Sequence, residues 1–142
     1  MDAKPRVLLA EDSPVMARQL RLLLAPEFEV VGLVTDGDSV LSALDALAPN
    51  VLVTDISMPG IDGLAAAERA LHTHPDLGVV FITVHDEPDL IARARALPRT
   101  AYVLKADAGD ALTAAVAAVM DGRWFESASI ARQAVRSHAR GQ

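Results

Sequence analysis

Four short apolar runs in this chain end at residues able to do chemistry. Arg6–Ala10 is followed by Glu11-Asp12 and Val51–Thr54 by Asp55. Val79–Thr83 closes on a hydroxyl, with Val84-His85 behind it, and Ala101–Leu104 leads into Lys105. Clustered carboxylates repel and raise each other's pKa unless a cation compensates. A hard divalent cation with oxygen ligands and retained waters is the natural solution, which points to Mg²⁺. Its shell is readily completed by phosphate oxygens. Lys105, as a charge, and Thr83, as a hydrogen-bond donor, can hold other oxygens of the same phosphoryl group. Asp55 can then act as the nucleophile and become an aspartyl phosphate, with catalysis by positioning and charge neutralisation. Singly, each residue has a plainer explanation. A strand-end Asp most often caps a helix, Thr83 is an ordinary strand residue, and Lys105 is a surface lysine. Four strand ends carrying suitable groups in order is what favours a site.

Those groups converge only if the runs are neighbouring strands. Five runs, the four above and Val30–Thr35, are four to six residues long, and none alternates with polar residues. That is the pattern of strands covered on both faces. Helical stretches separate them. Pro14–Leu24 carries Val15, Met16, Leu20, Leu23 and Leu24 at helical spacing, with Ser13 as N-cap and proline at the first position. Further helices are predicted over Asp38–Leu47 and Leu64–His72, from Asp86-Glu87-Pro88 onward, and over Asp110–Met120 before Asp121-Gly122. The alternation predicts an α/β fold: a doubly wound five-stranded parallel sheet, flavodoxin-like with order 2-1-3-4-5, and five flanking helices. In such sheets the functional crevice lies at the carboxyl ends of the strands.

Bulk properties narrow the function classes. The 142 residues suit one domain, rich in aliphatics and poor in aromatics. The absence of cysteine excludes a disulfide scaffold, a thiolate zinc site and a cysteine nucleophile, and it fits a cytoplasmic protein. No apolar run approaches the roughly 20 residues that span a bilayer, so no membrane insertion is expected. The net charge of −6 argues against non-specific nucleic-acid binding by the whole chain. Residues 1–122 carry a net −9, whereas 123–142 carry Arg123, Arg132, Arg136 and Arg140 against Glu126, a net +3. An acidic domain over 1–122 and a basic extension over 123–142 are expected.

Over about residues 5–122 the chain resembles the receiver domain of bacterial two-component response regulators. The matching features are Glu11-Asp12, the segment Asp55-Ile-Ser-Met-Pro-Gly-Ile-Asp-Gly63, Thr83 and Lys105. The stretch Pro26–Gly32, then Asp36-Gly37 and Gly122-Arg-Trp124, resembles the NarL/FixJ-like subfamily. The resemblance implies that Asp55 accepts a phosphoryl group from a sensor histidine kinase. It implies Mg²⁺ held by Asp12, Asp55 and the backbone carbonyl of Ser57, with Glu11 acting through water. It places Thr83 and Lys105 on the phosphoryl group and makes Tyr102 the aromatic that turns inward as Thr83 moves. Ser57 and His85 would flank an attacking water and set the dephosphorylation rate. Such a protein is a signalling receiver, not an enzyme, and promotes only its own phosphorylation and dephosphorylation. Its output would be a partner or homodimer surface on the fourth helix, fifth strand and fifth helix. DNA would be reached only through an output domain outside these residues.

Some positions depart from the family pattern. Val84 stands where Ala or Gly is usual, which predicts restricted access to Asp55. Ala106 replaces a common proline and Asn50 a common Asp. The expected helix-turn-helix domain is also missing. Residues 123–142 instead predict one helix over Ser127–Arg140, with Ile130, Ala131, Ala134, Val135 and His138 on one face. Three readings of this tail stand open: a linker toward a further domain, an extension of a single-domain regulator, or a basic segment contacting nucleic acid or an acidic partner. Trp124 and Phe125 are expected to pack back on the fifth helix. Two rival functions have less support. A small-ligand binder on the same scaffold would need a Gly-rich phosphate loop after Ala10 or a flavin-stacking aromatic pair. A receiver working without phosphorylation sits poorly with Asp12, Asp55, Thr83 and Lys105 together.

Overall fold

The computed structural model describes residues 3–133. The elements, in order, are β1 (Arg6–Ala10), α1 (Pro14–Leu24), β2 (Glu29–Val34), α2 (Asp38–Leu47), β3 (Val51–Thr54), α3 (Gly63–Thr73), β4 (Gly78–Thr83), α4 (Pro88–Arg95), β5 (Thr100–Leu104), α5 (Ala108–Met120) and β6 (Phe125–Glu126). A 3-10 turn over Lys105–Asp107 joins β5 to α5, and residues 128–133 are helical. All strand pairs are parallel, in the order β2-β1-β3-β4-β5-β6. The predicted 2-1-3-4-5 order is present, extended by one strand beyond β5.

Helices on both faces explain why β1, β3, β4 and β5 consist of uninterrupted apolar residues. One face packs α1 and α5 over Val7, Leu9, Val53, Val80 and Val103. The other packs α2, α3 and α4 over Leu8, Leu52, Val79, Phe81 and Tyr102. β2 differs from the expectation of full cover. It is an edge strand, its residues are partly exposed, and its register with β1 shifts between Val7 and Leu8.

Helix starts follow local chemistry. The Ser13 hydroxyl accepts the Met16 N–H, with Pro14 at the first position. Asp62 caps α3 by accepting the Ala65 N–H at 2.7 Å. Before α2, whose N-cap is Gly37, the Asp36 carboxylate accepts the Ser39 N–H at 2.8 Å.

Beyond α5 the described residues, through 133, stay packed on the domain. β6 pairs with β5, and Ile130 is 1% exposed within the core face that contains Tyr102. Phe125 packs on the α1–α5 side, as expected of it. Trp124 does not join it. It turns to the opposite face and lies under the Arg95 guanidinium of α4, 5.3 Å from ring centroid to carbon. Trp124 stands just before β6, and Phe125 is its first residue, so the two aromatics pack on opposite faces of the sheet. The predicted tail helix starts at residue 128, one later than Ser127. Its expected positions Ala134, Val135, Arg136, His138 and Arg140 lie outside the described residues.

Candidate functional site

The sheet ladder continues one residue past β1 and β3, and this places the acids. The Glu11 N–H donates to the Val34 carbonyl (3.0 Å) and the Asp55 N–H to the Ala10 carbonyl (3.0 Å). The Asp55 carbonyl accepts the Thr54 hydroxyl at 2.8 Å. The loop after Asp55 closes tightly: the Gly63 N–H donates to the Ile56 carbonyl at 2.7 Å. A Cβ on Gly63 would stand 1.8 Å from the Asp55 carbonyl oxygen, so glycine is required there for space. Gly60 is the residue in this loop that needs a positive φ, at 80°.

One ammonium serves two acids. Lys105 Nζ donates to Asp55 Oδ2 at 2.7 Å. It also lies 3.0 Å from Glu11 Oε1, an ion pair without hydrogen-bond geometry, so that buried oxygen has no hydrogen-bond donor. Glu11 Oε2 accepts the Ser13 N–H at 3.0 Å. Burial, with the nearby Asp55 charge, raises the Glu11 pKa, against the pull of the Ser13 bond and Lys105. For Lys105, burial acts to lower the pKa, but the Asp55 and Glu11 carboxylates prevail and raise it. Asp12 is exposed beside them, and Glu11, Asp12 and Asp55 each present an oxygen within 4.8 Å of the others. Three converging carboxylates, one of them Glu11 with a buried oxygen that lacks a donor, suit a hard cation.

Thr83, wholly buried at the end of β4, accepts the His85 N–H at 3.2 Å. Ser57 donates its N–H to Asp55 Oδ1 at 3.2 Å, and its hydroxyl is hydrogen-bonded to His85 Nε2. His85 Nδ1 lies 3.6 Å from Glu87 Oε1, a neighbour the sequence did not single out. Tyr102 is wholly buried and tilted against Phe81, ring centroids 6.3 Å apart, and its hydroxyl donates to the His85 carbonyl at 2.7 Å. Burial, then the Glu87, Asp86 and Asp55 charges, push its pKa upward. Val84, expected to narrow access, is 70% exposed. All the residues singled out on the strand ends thus share one rim. Sequence reasoning took Ser13 only as a helix cap and missed its bond to Glu11. It also missed the bonds from Ser129 to Asp107, for which no spacing signal existed.

A doubly wound parallel sheet gathering three acids, a threonine and a lysine at its strand ends defines the class of phosphorylatable signalling receivers. The chain belongs to the response regulator receiver domain family, whose model matches residues 7–117. The response regulator GacA of Pseudomonas protegens is 32% identical over 132 residues, covering 92% of this chain and 62% of GacA. The transcriptional regulatory protein DegU of Brevibacillus brevis is 26% identical, covering 96% of this chain and 59% of DegU. The chain therefore spans about three-fifths of the length of these curated relatives. Among solved structures, the isolated receiver domain of RcsB from Salmonella enterica serovar Typhimurium, in the presence of the phosphomimetic BeF3−, is 28% identical with a TM-score of 0.81. That match covers 92% of this chain and 98% of that one. A LuxR-family response regulator from Aurantimonas shares the fold, with a TM-score of 0.86 at 22% identity over 96% of this chain and 99% of that one. Receiver domains bind Mg²⁺ at an acidic cluster, which here is Glu11, Asp12 and Asp55. No described helix is long and apolar enough to cross a membrane.

Proposed function

We propose that this chain is the receiver of a response regulator and takes a phosphoryl group from a sensor histidine kinase onto Asp55. The observation that carries this is Lys105 bridging Asp55 and Glu11 beside a third acid, Asp12. A carboxylate oxygen of Asp55 attacks phosphorus as the P–N bond of the kinase phosphohistidine breaks. The electron pair stays on the imidazole nitrogen, which takes up a proton. Asp12, Asp55 and the Ser57 carbonyl would hold Mg²⁺, with Glu11 acting through water. When bound, the ion supplies charge neutralisation at the phosphoryl oxygens.

The chain's own residues do the positioning. Lys105 stays protonated beside the acids and offers its N–H groups to a phosphoryl oxygen. The Ser57 N–H steers one oxygen of Asp55 while Lys105 holds the other, which fixes the carboxylate plane. Thr83 contacts the phosphoryl group and, through His85, is linked to the Tyr102 hydroxyl. Tyr102 is thereby the switch residue. Ser57 and His85, hydrogen-bonded to each other, tune dephosphorylation. Promotion of its own phosphorylation and dephosphorylation is the only chemistry assigned to the chain.

The output face is that of α4, β5 and α5, through which a homodimer would form. DNA would be contacted only by an output domain, as expected for a relative of RcsB, of which a complex of dimers with DNA is known. Residues 1–122 form the receiver and 123–142 an extension of it, in a cytoplasmic protein. The test is titration with Mg²⁺ and beryllofluoride while following Trp124 fluorescence. Wild type is expected to respond and Asp55→Asn to lose the response. Equal responses, or none from wild type, would overturn the reading.

A further inference from the structure

The segment after α5 is fastened around the residue assigned as the switch. β6 pairs Phe125 with Ala101 and Glu126 with Tyr102. The Ser127 N–H then donates to the Tyr102 carbonyl (3.0 Å), and the Ser127 hydroxyl accepts the Leu104 N–H (3.1 Å). One serine thus ties the backbone on both sides of Val103, immediately before Lys105. Ile130, 1% exposed, belongs to the same buried cluster as Tyr102. The Gln133 side chain donates to the Asp86 carbonyl at 3.1 Å, one residue from the carbonyl that receives the Tyr102 hydroxyl.

From this geometry we infer that Ser127 and Ile130 are positioning residues for the phosphoryl response. The docked segment holds Tyr102 in its buried position, and docking and phosphoryl binding at Asp55 strengthen each other. The inference rests on the reading of Tyr102 as the switch. Its physical basis is reciprocity: whatever free energy binding at Asp55 gains from a buried Tyr102, the segment that buries Tyr102 gains in return. A segment that only plugged the sheet edge would affect stability and leave binding at Asp55 unchanged.

The chain contains one tyrosine and one tryptophan, so Tyr102 and Trp124 report separately on the switch and on the segment. In the full chain, Ile130→Asp places a charge in the buried site. It is expected to release Trp124 to water, seen as a red-shifted emission, and to weaken apparent beryllofluoride affinity in Mg²⁺ by about 5-fold or more, the lower end of usual coupling. Ser127→Ala removes the hydroxyl's hydrogen bonds, with the Leu104 N–H and the Asp107 carboxylate, and no apolar volume. It is expected to weaken binding less and in the same direction, and it decides the matter where Ile130→Asp does not fold by circular dichroism. In wild type, but not in Asp55→Asn, beryllofluoride should slow hydrogen exchange at residues 127–130. If the folded variants bind beryllofluoride as tightly as wild type, the coupling is absent while phosphorylation at Asp55 stands. If wild type itself does not bind, both readings fall together.

Discussion

At the strand-end rim, charge is concentrated. One ammonium lies within 3.0 Å of two carboxylates, and a third acid stands beside them. At the β5 edge the contacts are instead a serine, an isoleucine and backbone groups, with the ion pair of Arg95 and Glu126 (3.7 Å) left on the surface. The rim therefore stores function at a cost in stability, since buried like charges must be compensated. The edge gains stability from apolar burial, and its polar groups serve mainly to orient. A substitution at the rim should change chemistry more than folding; one at the edge should do the reverse unless the two are coupled.

The largest effect expected from this contrast is at Lys105. Lys105→Met leaves Glu11 and Asp55 facing each other uncompensated and removes the phosphoryl contact proposed for this lysine. Labelling by phosphoramidate, resolved on a phosphate-affinity gel, should slow on the order of 100-fold, the scale for loss of one electrostatic stabiliser. A rate within a few-fold of wild type would break the distinction at its strongest point. Next in size is Ile130→Ala, which should lower stability by about 2 kcal/mol, the low end for truncating a buried Ile, because the helix at residues 128–133 can settle inward. Urea unfolding followed at Trp124 measures it, and an unchanged midpoint would show that the edge contributes no packing.

The smallest expected effect is a pH dependence at Asp107. Its carboxylate accepts the Ser129 N–H and hydroxyl at 3.0 and 2.9 Å. Its partial burial opposes ionisation, but hydrogen bonds from Ser127 and Ser129 and the charge of Arg132 prevail and lower its pKa from 3.8. A lowered folded pKa gives stability that is present above the unfolded value and lost as pH falls through the folded one. Asp107→Asn should therefore be less stable than wild type at neutral pH, and the gap should close as pH falls below about 3.8. A gap that persists at pH 2 would assign the effect to something other than the charge.

The rim was legible because Glu11, Asp55, Thr83 and Lys105 each stand at the end of an apolar run, and the runs themselves are unambiguous. The bounds read for β1, β3, α1 and α2 coincide with those observed. Glu11 and Asp55 then had to lie side by side once β1 and β3 were neighbours. The need for glycine at position 63 was not legible, because it is space against the Asp55 carbonyl, a contact set by the fold. The β5 edge was not legible. A two-residue strand has no periodicity, and Ser127 looks like an ordinary serine at a helix start until β6 brings its hydroxyl to the Leu104 N–H. β2 misled in the other direction, since an apolar run resembles a central strand even at an edge.

β6 also bears on how these molecules meet one another. The exposed side of a parallel sheet offers unpaired N–H and carbonyl groups that any other strand can join, and short edge strands blunt that risk. Phe125-Glu126 occupies the β5 side for two residues, and the chain then turns into helix, too short a template for a stranger's strand. At the opposite margin, β2 begins on the exposed carboxylate of Glu29 and shifts register along β1. Both margins of the sheet thus carry features of the kind that work against strand exchange between copies.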